Sequence, residues 1–288
     1  MTMSARRRPS HRRHDALGFT LIEATMVIAL IGIVGAMVGV FITRPVDAYV
    51  DQARRAELSD TADTALRRIA RELALALPNS VRIDPGATLL EFVPVHAGGR
   101  YRAAPAADGS GNFHDFDNAA DGTFDVLGPA VDVAAGDQLV VYNLGLPGAS
   151  VYSGETRRAL TSVGSSLASL SYTVGASQFP FASSGNRFQV VGSPVTYACT
   201  PGASGTGSLR RYAGYAIQAA QPVNPAAAPL VGLSGSGNSV VADKVESCSF
   251  AVSAGAAAGT SLVTLRLTLA SGGERLTLLH EVHVDNSP

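Results

Sequence analysis

Residues 19–43 form an apolar stretch of 25 residues that contains a single ionisable side chain, Glu23. As an α-helix the stretch would be about 37 Å long, which exceeds the roughly 30 Å hydrocarbon core of a bilayer. It is therefore long enough and apolar enough to cross a membrane. The sequence predicts a transmembrane helix over residues 19–43, and this prediction limits what the rest of the chain can be.

Basic residues precede this stretch and set its predicted orientation. Five arginines lie within the first 18 residues, opposed only by Asp15: Arg6, Arg7, Arg8, Arg12 and Arg13. Because positive charge is retained on the cytoplasmic side, the short amino-terminal segment should stay in the cytoplasm and the chain after Thr43 should be exported. The remaining 17 basic and 22 acidic residues give a net charge of −5. That balance argues against nucleic acid as a partner.

The position of Gly18 indicates how the segment is processed. A secretory signal is cut after its apolar stretch, near small residues at alternate positions, but no Ala-x-Ala occurs between Phe19 and Tyr49. The sequence GFTLIE at 18–23 instead resembles the prepilin peptidase recognition sequence of type IV pilins and type II secretion pseudopilins. The resemblance implies a leader over residues 1–18, cleavage between Gly18 and Phe19, methylation of the Phe19 amine and retention of the apolar helix.

Glu23 is the expected assembly residue. An ionisable group inside a spanning segment costs about 2.5 to 3.5 kcal/mol, so it usually marks function. Cleavage after Gly18 would create a cationic amine at the start of a helix, where positive charge is unfavourable. A Glu23 carboxylate from a neighbouring subunit would neutralise that amine and favour one alignment of neighbouring subunits along the filament axis. The alternative is a carboxylate that only reaches the nearby lipid headgroups.

Small residues recur along the same segment and predict helix packing. They are Gly32, Gly35, Ala36 and Gly39. Gly35 and Gly39 form a GxxxG pair, which lets helix backbones approach closely in lipid. Pro45 is expected to kink or interrupt the helix where it leaves the membrane.

Helical periodicity returns after Pro45 and predicts an amphipathic helix within residues 44–78. Its apolar positions recur every three or four residues: Leu58, Ala62, Leu66, Ile69, Leu73 and Leu77. Pro78 and Asn79 should end it. From residue 79 to residue 288 the pattern is that of strands. A hairpin is predicted at 262–284 around Gly272 and Gly273, with weaker strands at 88–93, 138–143, 188–198, 211–218 and 240–251.

The predicted fold class is therefore α+β. A long amino-terminal helix, with its first half in the membrane and its second half amphipathic, packs on a β-rich globular head, and this is the architecture that the pilin resemblance implies. Cys199 and Cys248 favour a disulfide over a redox or metal pair, because the chain is directed to a membrane. Such a bond closes a loop of nearly fifty residues and adds about 4 kcal/mol at most.

No cofactor site or catalytic motif is predicted. The sequence contains no GxSxG, HExxH or P-loop motif, so no motif in it predicts catalysis and the chain is not expected to be an enzyme. His280 and His283, three apart on a predicted strand, should lie on opposite faces, with His280 in the apolar register. Asp115, Asp117 and Asp121 in an acidic loop are weak candidates for binding calcium. Because the loop lacks EF-hand spacing, a solvated, turn-rich loop is favoured over a calcium site.

Short segments of the head sequence indicate which group of pilin-like proteins the chain resembles. VTYACT (195–200), LRRYAGYAI (209–217) and HEVHVDNSP (280–288) look like segments of a minor pilin from the mannose-sensitive haemagglutinin (MSHA) pilus system. This resemblance implies a filament subunit whose partners are prepilin peptidase, other major and minor pilins, the inner-membrane assembly platform and membrane lipid. It also implies an inner-membrane location with a periplasmic head, followed by the pilus at the cell surface.

Three alternatives remain open at this stage. One is a minor pseudopilin of a type II secretion system, which shares the leader, helix and β-rich head. Another is a membrane-anchored periplasmic enzyme or binding protein that resembles pilins only at its start. The third is a pilus-tip adhesin, in which loops such as 226–238 would bind a surface ligand.

Overall fold

The structure is a computed structural model that describes residues 18–233, 237–257 and 259–288, with only the backbone given for 42–45 and 47. The predicted leader lies outside the described residues except for Gly18. The chain divides into two compact units, Met1–Ala53 and Arg54–Pro288. The α+β prediction is confirmed, because one long helix with an apolar start is followed by a head made of strands.

The elements of the chain are one long α-helix, one short 3-10 helix at Ala203–Gly205 and fifteen strands within the described residues. They are α1 Leu21–Leu73, β1 Arg82–Ile83, β2 Leu89–Phe92, β3 Val95–Tyr101, β4 Thr123–Leu127, β5 Val131–Val133, β6 Gln138–Val140, β7 Arg157–Ala159, β8 Gly164–Leu167, β9 Ser169–Ser171, β10 Arg187–Val191, β11 Val195–Thr200, β12 Gly207–Ala213, β13 Ser239–Ala254, β14 Thr260–Ser271 and β15 Glu274–Asp285.

Helix α1 is continuous for 53 residues, so of the two expected effects of Pro45, a kink or an interruption, the interruption is wrong. Proline removes one backbone donor and costs about 3 kcal/mol in a helix interior. More than twenty helical residues flank Pro45 on each side. Their hydrogen bonds carry the helix across one missing bond, because propagation is favourable once a helix has formed.

The main layer of the head is a seven-stranded antiparallel sheet in the order β1-β2-β11-β12-β13-β14-β15. The six apolar positions of the sequence period, from Leu58 to Leu77, are all buried. Leu58, Ala62, Leu66, Ile69 and Leu73 belong to one hydrophobic core with strand residues of this sheet. The strand members of that core include Leu90, Phe92, Tyr197, Leu209, Val245, Phe250, Val263, Leu265, Leu267 and Leu269.

Strands β14 and β15 confirm the predicted hairpin. They pair over twelve residue pairs, from Thr260 opposite Asp285 to Ser271 opposite Glu274. Gly272 and Gly273 have φ angles of +58° and +88°, which a two-residue hairpin turn requires at both central positions. His280 lies opposite Leu265 on the core-facing side, half-buried rather than buried, and His283 is exposed.

Strands β3–β10 form a second group of strands, which is inserted in the sequence between two strands of the main sheet. We call residues 95–191 the inserted lobe, because β2 and β11, which flank it in sequence, are neighbours in the seven-stranded sheet with Phe92 opposite Val195. The lobe contains a six-stranded sheet, β7-β6-β10-β3-β4-β9, and the pair β5-β8. Its own core is rich in aromatic side chains: Tyr101, Phe124, Tyr172, Phe179 and Phe188.

Two strand predictions are corrected by this topology. The single strand expected at 188–198 is two strands: β10 belongs to the inserted lobe and β11 to the main sheet, with Gly192, Ser193 and Pro194 between them. The strand expected at 211–218 is β12, which ends at Ala213. Short strands with little alternation, such as β7–β9, were not predicted, since a period of two is hard to recognise over three or four residues.

Candidate functional site

The start of α1 contains the residues expected to act in processing and assembly. Gly18, Phe19 and Thr20 precede the helix in exposed, non-helical chain, and Phe19 is 78% exposed. Both residues of the Gly18–Phe19 bond are therefore exposed. Glu23 lies in the first helical turn.

Thr20 caps this helix, a feature that the sequence analysis missed. The backbone N–H of Glu23 donates to Thr20 Oγ1 at 3.3 Å, and the N–H of Ala24 donates to the Thr20 carbonyl at 3.1 Å. Thr20 and Glu23 stand in the T-x-x-E spacing of a capping box, in which the glutamate at the third helical position supports the cap. That spacing was visible in the sequence. Glu23 therefore has a local role at the positive end of the helix dipole, in addition to any role between subunits.

The first part of α1 is suited to a membrane. Residues Leu21–Phe41 have a mean hydropathy of 2.5, and none of the span is buried inside the protein. Within the described residues this is the one helix long and apolar enough to cross a bilayer. By length and composition, such a helix is either a membrane anchor or a signal sequence.

The helix has two different faces along this span. At about 100° per residue, the small residues Gly32, Gly35, Ala36 and Gly39 lie in one strip about 100° wide. A Cβ atom added at Gly32, Gly35 or Gly39 would meet nothing within 4 Å, so the strip is open to a neighbouring helix. Glu23, nine residues before Gly32, lies about 180° from it. The structure thus brings the small residues together and places Glu23 on the opposite face.

Cys199 and Cys248 are joined by a disulfide, as predicted. Cys199 is in β11 and Cys248 in β13, two strands that are separated by β12 in the sheet. Cys199 lies opposite Leu209 of β12, and Cys248 lies three residues after Val245, where the pairing of β13 with β12 ends. The Phe250 N–H donates to the Ala87 carbonyl and the Cys199 N–H donates to the Thr88 carbonyl, both at 2.9 Å. The disulfide therefore links two strands of the sheet that are not neighbours.

The acidic loop uses its carboxylates to hold its own backbone. Asp121 Oδ2 accepts the N–H of Asp115 at 2.7 Å, and Asp121 Oδ1 accepts the N–H of Thr123 at 3.3 Å. Asp115 Oδ1 accepts the N–H of Asp117 at 3.0 Å. Among the described residues, no three His, Cys, Asp or Glu side chains converge in a way that could hold a metal ion. The geometry supports a turn-rich loop, the interpretation favoured from sequence.

His114 is a buried histidine that the sequence analysis passed over. Its Nδ1 lies 3.1 Å from the Tyr172 hydroxyl and 3.6 Å from Asp121 Oδ2. Its Nε2 is buried and has no hydrogen-bond partner among the described residues. The ring packs at the centre of the aromatic core of the inserted lobe, between Phe116 and Phe179. Burial lowers the pKa of His114, and the nearby carboxylates of Asp121 and Asp115 only partly oppose that effect.

The stability of the head should therefore fall as the medium is acidified below the ordinary histidine pKa of about 6.5. Because the folded-state pKa of His114 is lowered, the unfolded chain binds a proton in the pH range where the folded chain does not. The free energy of unfolding should decrease from pH 6.5 downward and level off below the folded-state pKa. Urea unfolding of the full chain in detergent, at pH 7.5, 6.5, 5.5 and 4.5, measures this slope.

His114→Phe should flatten that slope, because phenylalanine fills the aromatic core without titrating. His283→Phe, at an exposed histidine of β15, is the matched control and should leave the slope unchanged. A slope that persists in His114→Phe would assign the acid sensitivity to other groups.

A second buried polar cluster joins β1 and β2 to the segment that follows β12. The fully buried carboxylate of Glu91 accepts from Arg82 Nε at 2.7 Å and from the Tyr215 hydroxyl at 2.9 Å. The Tyr215 hydroxyl also lies 2.6 Å from Thr196 Oγ1. Burial raises the pKa of Glu91, while the hydrogen bond and the charge of Arg82 act against that rise.

Arg82 extends the cluster to other parts of the head. Its guanidinium donates to the carbonyls of Ala219 and Gln218 at 2.8 and 2.9 Å and lies 3.5 Å above the centre of the Tyr152 ring. Donors and acceptors thus satisfy one another inside the fold. Arg82 and Glu91 therefore form a structural ion pair, since their donors and acceptors bind one another and neighbouring groups of the fold.

Comparisons of the chain with models of protein families, with curated proteins and with solved structures found no match.

Proposed function

We propose that this chain is a prepilin-type subunit, a minor pilin of the MSHA type similar to MshO, that takes part in assembling or initiating a type IV pilus. The observation that carries the proposal is the start of α1: an exposed Gly18–Phe19 bond, a helix that begins immediately after it, and one carboxylate in the first turn of a span long enough for a membrane. The chain acts by packing rather than by catalysis.

The proposed mechanism begins with proteolysis. Prepilin peptidase cuts after Gly18 on the cytoplasmic face and methylates the new amine of Phe19. The mature helix stays in the inner membrane as a single pass, with its amino terminus on the cytoplasmic side and the head in the periplasm. The basic residues before the span favour this orientation.

Assembly then pairs charges that are costly to leave alone in lipid. The carboxylate of Glu23 neutralises the amine of a neighbouring subunit, and the strip of small residues provides close contact with a further helix. Because Glu23 and the strip lie on opposite faces, one helix contacts neighbours on two sides, as an open polymer requires. The partners are other major and minor pilins, the inner-membrane assembly platform and membrane lipid.

Mass spectrometry of the mature amino terminus tests this proposal. In cells with prepilin peptidase, the chain should begin at methylated Phe19. In cells without the peptidase, the first 18 residues should remain. A chain that keeps residues 1–18 in both strains, or loses them in both, would instead support a membrane-anchored protein unrelated to pilus assembly.

A further inference from the structure

Two neighbouring arginines of the inserted lobe have no acidic partner among the residues that the structure describes. Arg157 and Arg158 are in β7, an edge strand of the six-stranded sheet, and both are half-buried. No carboxylate of the described residues lies within 4.0 Å of either guanidinium, whereas Arg82 and Arg102 each pair with one. Arg187, on β10 of the same sheet, also has no carboxylate partner in the described part of the chain, but it is exposed to water.

The two guanidinium groups are held in place by neutral acceptors. Arg157 donates from Nε to the Val151 carbonyl at 2.7 Å and from Nη1 to Gln138 Oε1 at 2.8 Å. The Arg158 guanidinium lies 4.8 Å from the centre of the Phe179 ring. It donates to five backbone carbonyls, those of Gly154, Glu155, Arg157, Ser177 (at 2.9 Å) and Gln178. These contacts orient the charges in advance but do not neutralise them.

Burial disfavours the charge at both sites. It lowers the pKa of Arg157 and of Arg158. The nearest carboxylate in sequence, that of Glu155, is held by other donors: it accepts from the Ser153 hydroxyl at 2.7 Å and from the Ser150 N–H at 3.3 Å. Two adjacent, partly desolvated cations with no counterion are unfavourable unless an anion joins them.

The surface beside them has room for such an anion. Both arginines line one depression together with Gln138, Thr173 and the backbone of Gly154 and Gly175. A Cβ atom at Gly154 would lie 3.7 Å from Arg157 Nη2, and one at Gly175 would lie 3.3 Å from Arg158 Nε. The two glycines therefore keep side-chain atoms away from these two donor atoms.

We propose that this depression binds an oxyanion, a sulfate, phosphate or carboxylate group, between Arg157 and Arg158. Arginine suits this role because its planar guanidinium matches the spacing of oxyanion oxygens and keeps its charge. The site is independent of the processing and assembly of α1. The opposing interpretation is that the two arginines only fasten the surrounding loops through their carbonyl contacts.

The test uses the purified full chain in detergent, with sodium sulfate, sodium phosphate or sodium glucuronate added in place of chloride at constant ionic strength. Calorimetric titration and thermal unfolding should both show saturable binding in the low-concentration range, before the general stabilising effect of sulfate or phosphate begins. A preference for glucuronate would identify a carboxylate ligand, and a preference for sulfate or phosphate a tetrahedral one.

Arg157→Gln should weaken binding of the best probe about tenfold, as expected for losing one charged hydrogen-bond donor group. Arg187→Gln removes an equally unpaired but exposed arginine and should leave binding unchanged. Equal loss in both variants, or no saturable response in the native chain, would overturn the proposal. Circular dichroism establishes that each variant is folded.

Ala159→Glu gives a test that does not depend on removing an arginine. Ala159 is exposed at the rim of the depression, so a glutamate there supplies a carboxylate from the chain itself. The variant should unfold at a higher temperature than the native chain and lose its response to the added anion. Ala159→Gln, which has the same shape without the charge, should do neither. A glutamate variant that still binds the probe with native affinity would contradict the site.

Discussion

Replacing Glu23 with glutamine is expected to reduce incorporation of this chain into filaments at least tenfold, while its amount in the membrane stays near normal. The reason is that an amine buried in lipid without its carboxylate costs about 3 to 5 kcal/mol. Insertion should not suffer, since a neutral side chain is cheaper in the span than a charged one. Immunoblots of sheared filaments and of the membrane fraction measure the two quantities separately.

The capped start of α1 determines which substitution is informative. Glutamine, like glutamate, can occupy the third position of a capping box, so Glu23→Gln removes the charge and keeps the local cap. Thr20→Ala does the reverse: it removes the Oγ1 acceptor of the Glu23 N–H and costs about 1 kcal/mol at the helix start. If Glu23 acts between subunits, Thr20→Ala filaments should contain near-normal amounts of the chain. Equal loss in both variants would mean that the glutamate matters only to its own helix.

Arg82→Met is expected to lower the free energy of unfolding of the head by about 3 kcal/mol or more, because it leaves the fully buried charge of Glu91 without its cation. The Tyr215 hydroxyl would remain as the one side-chain donor to that carboxylate in the described contacts. Urea unfolding of the full chain in detergent measures the loss. The double variant Arg82→Met with Glu91→Leu should recover much of it, since the unpaired charge is gone.

Arg67→Met is the control for this result. Arg67 pairs with Asp63 at 2.7 Å along the exposed face of α1, and its loss should change stability little, because exposed pairs contribute little. If Arg82→Met were as mild as Arg67→Met, the cluster around Glu91 would not be an important part of the fold. If the double variant were worse than Arg82→Met, packing rather than charge would explain the loss.

The sequence predicted those features whose signal is local. The apolar span is visible in 25 consecutive residues, and the β14–β15 hairpin shows a period of two on both sides of two glycines. The division of strands between two sheets was not predictable in the same way. Residues 188–198 were predicted as one strand although Gly192, Ser193 and Pro194 interrupt it, and β10 and β11 pair with strands far away in sequence.

The buried polar groups were missed for the same physical reason. His114 is recognised as buried only when Tyr172, 58 residues away, is placed beside it. Glu91 is satisfied by Tyr215, 124 residues later. A single sequence gives such residues no periodicity of their own. The Thr20 cap is different, since its partner is three residues away and the T-x-x-E spacing could have predicted it.

The pairing of Phe92 with Val195 has a consequence for how this head can change over time. Because the two ends of the intervening segment meet on adjacent strands, about a hundred residues leave the main sheet and return to almost the same point. Changes on the surface of that segment therefore need not shift the register of β2 against β11, so what the inserted lobe presents to its surroundings can vary while the sheet that packs on α1 keeps its pairing.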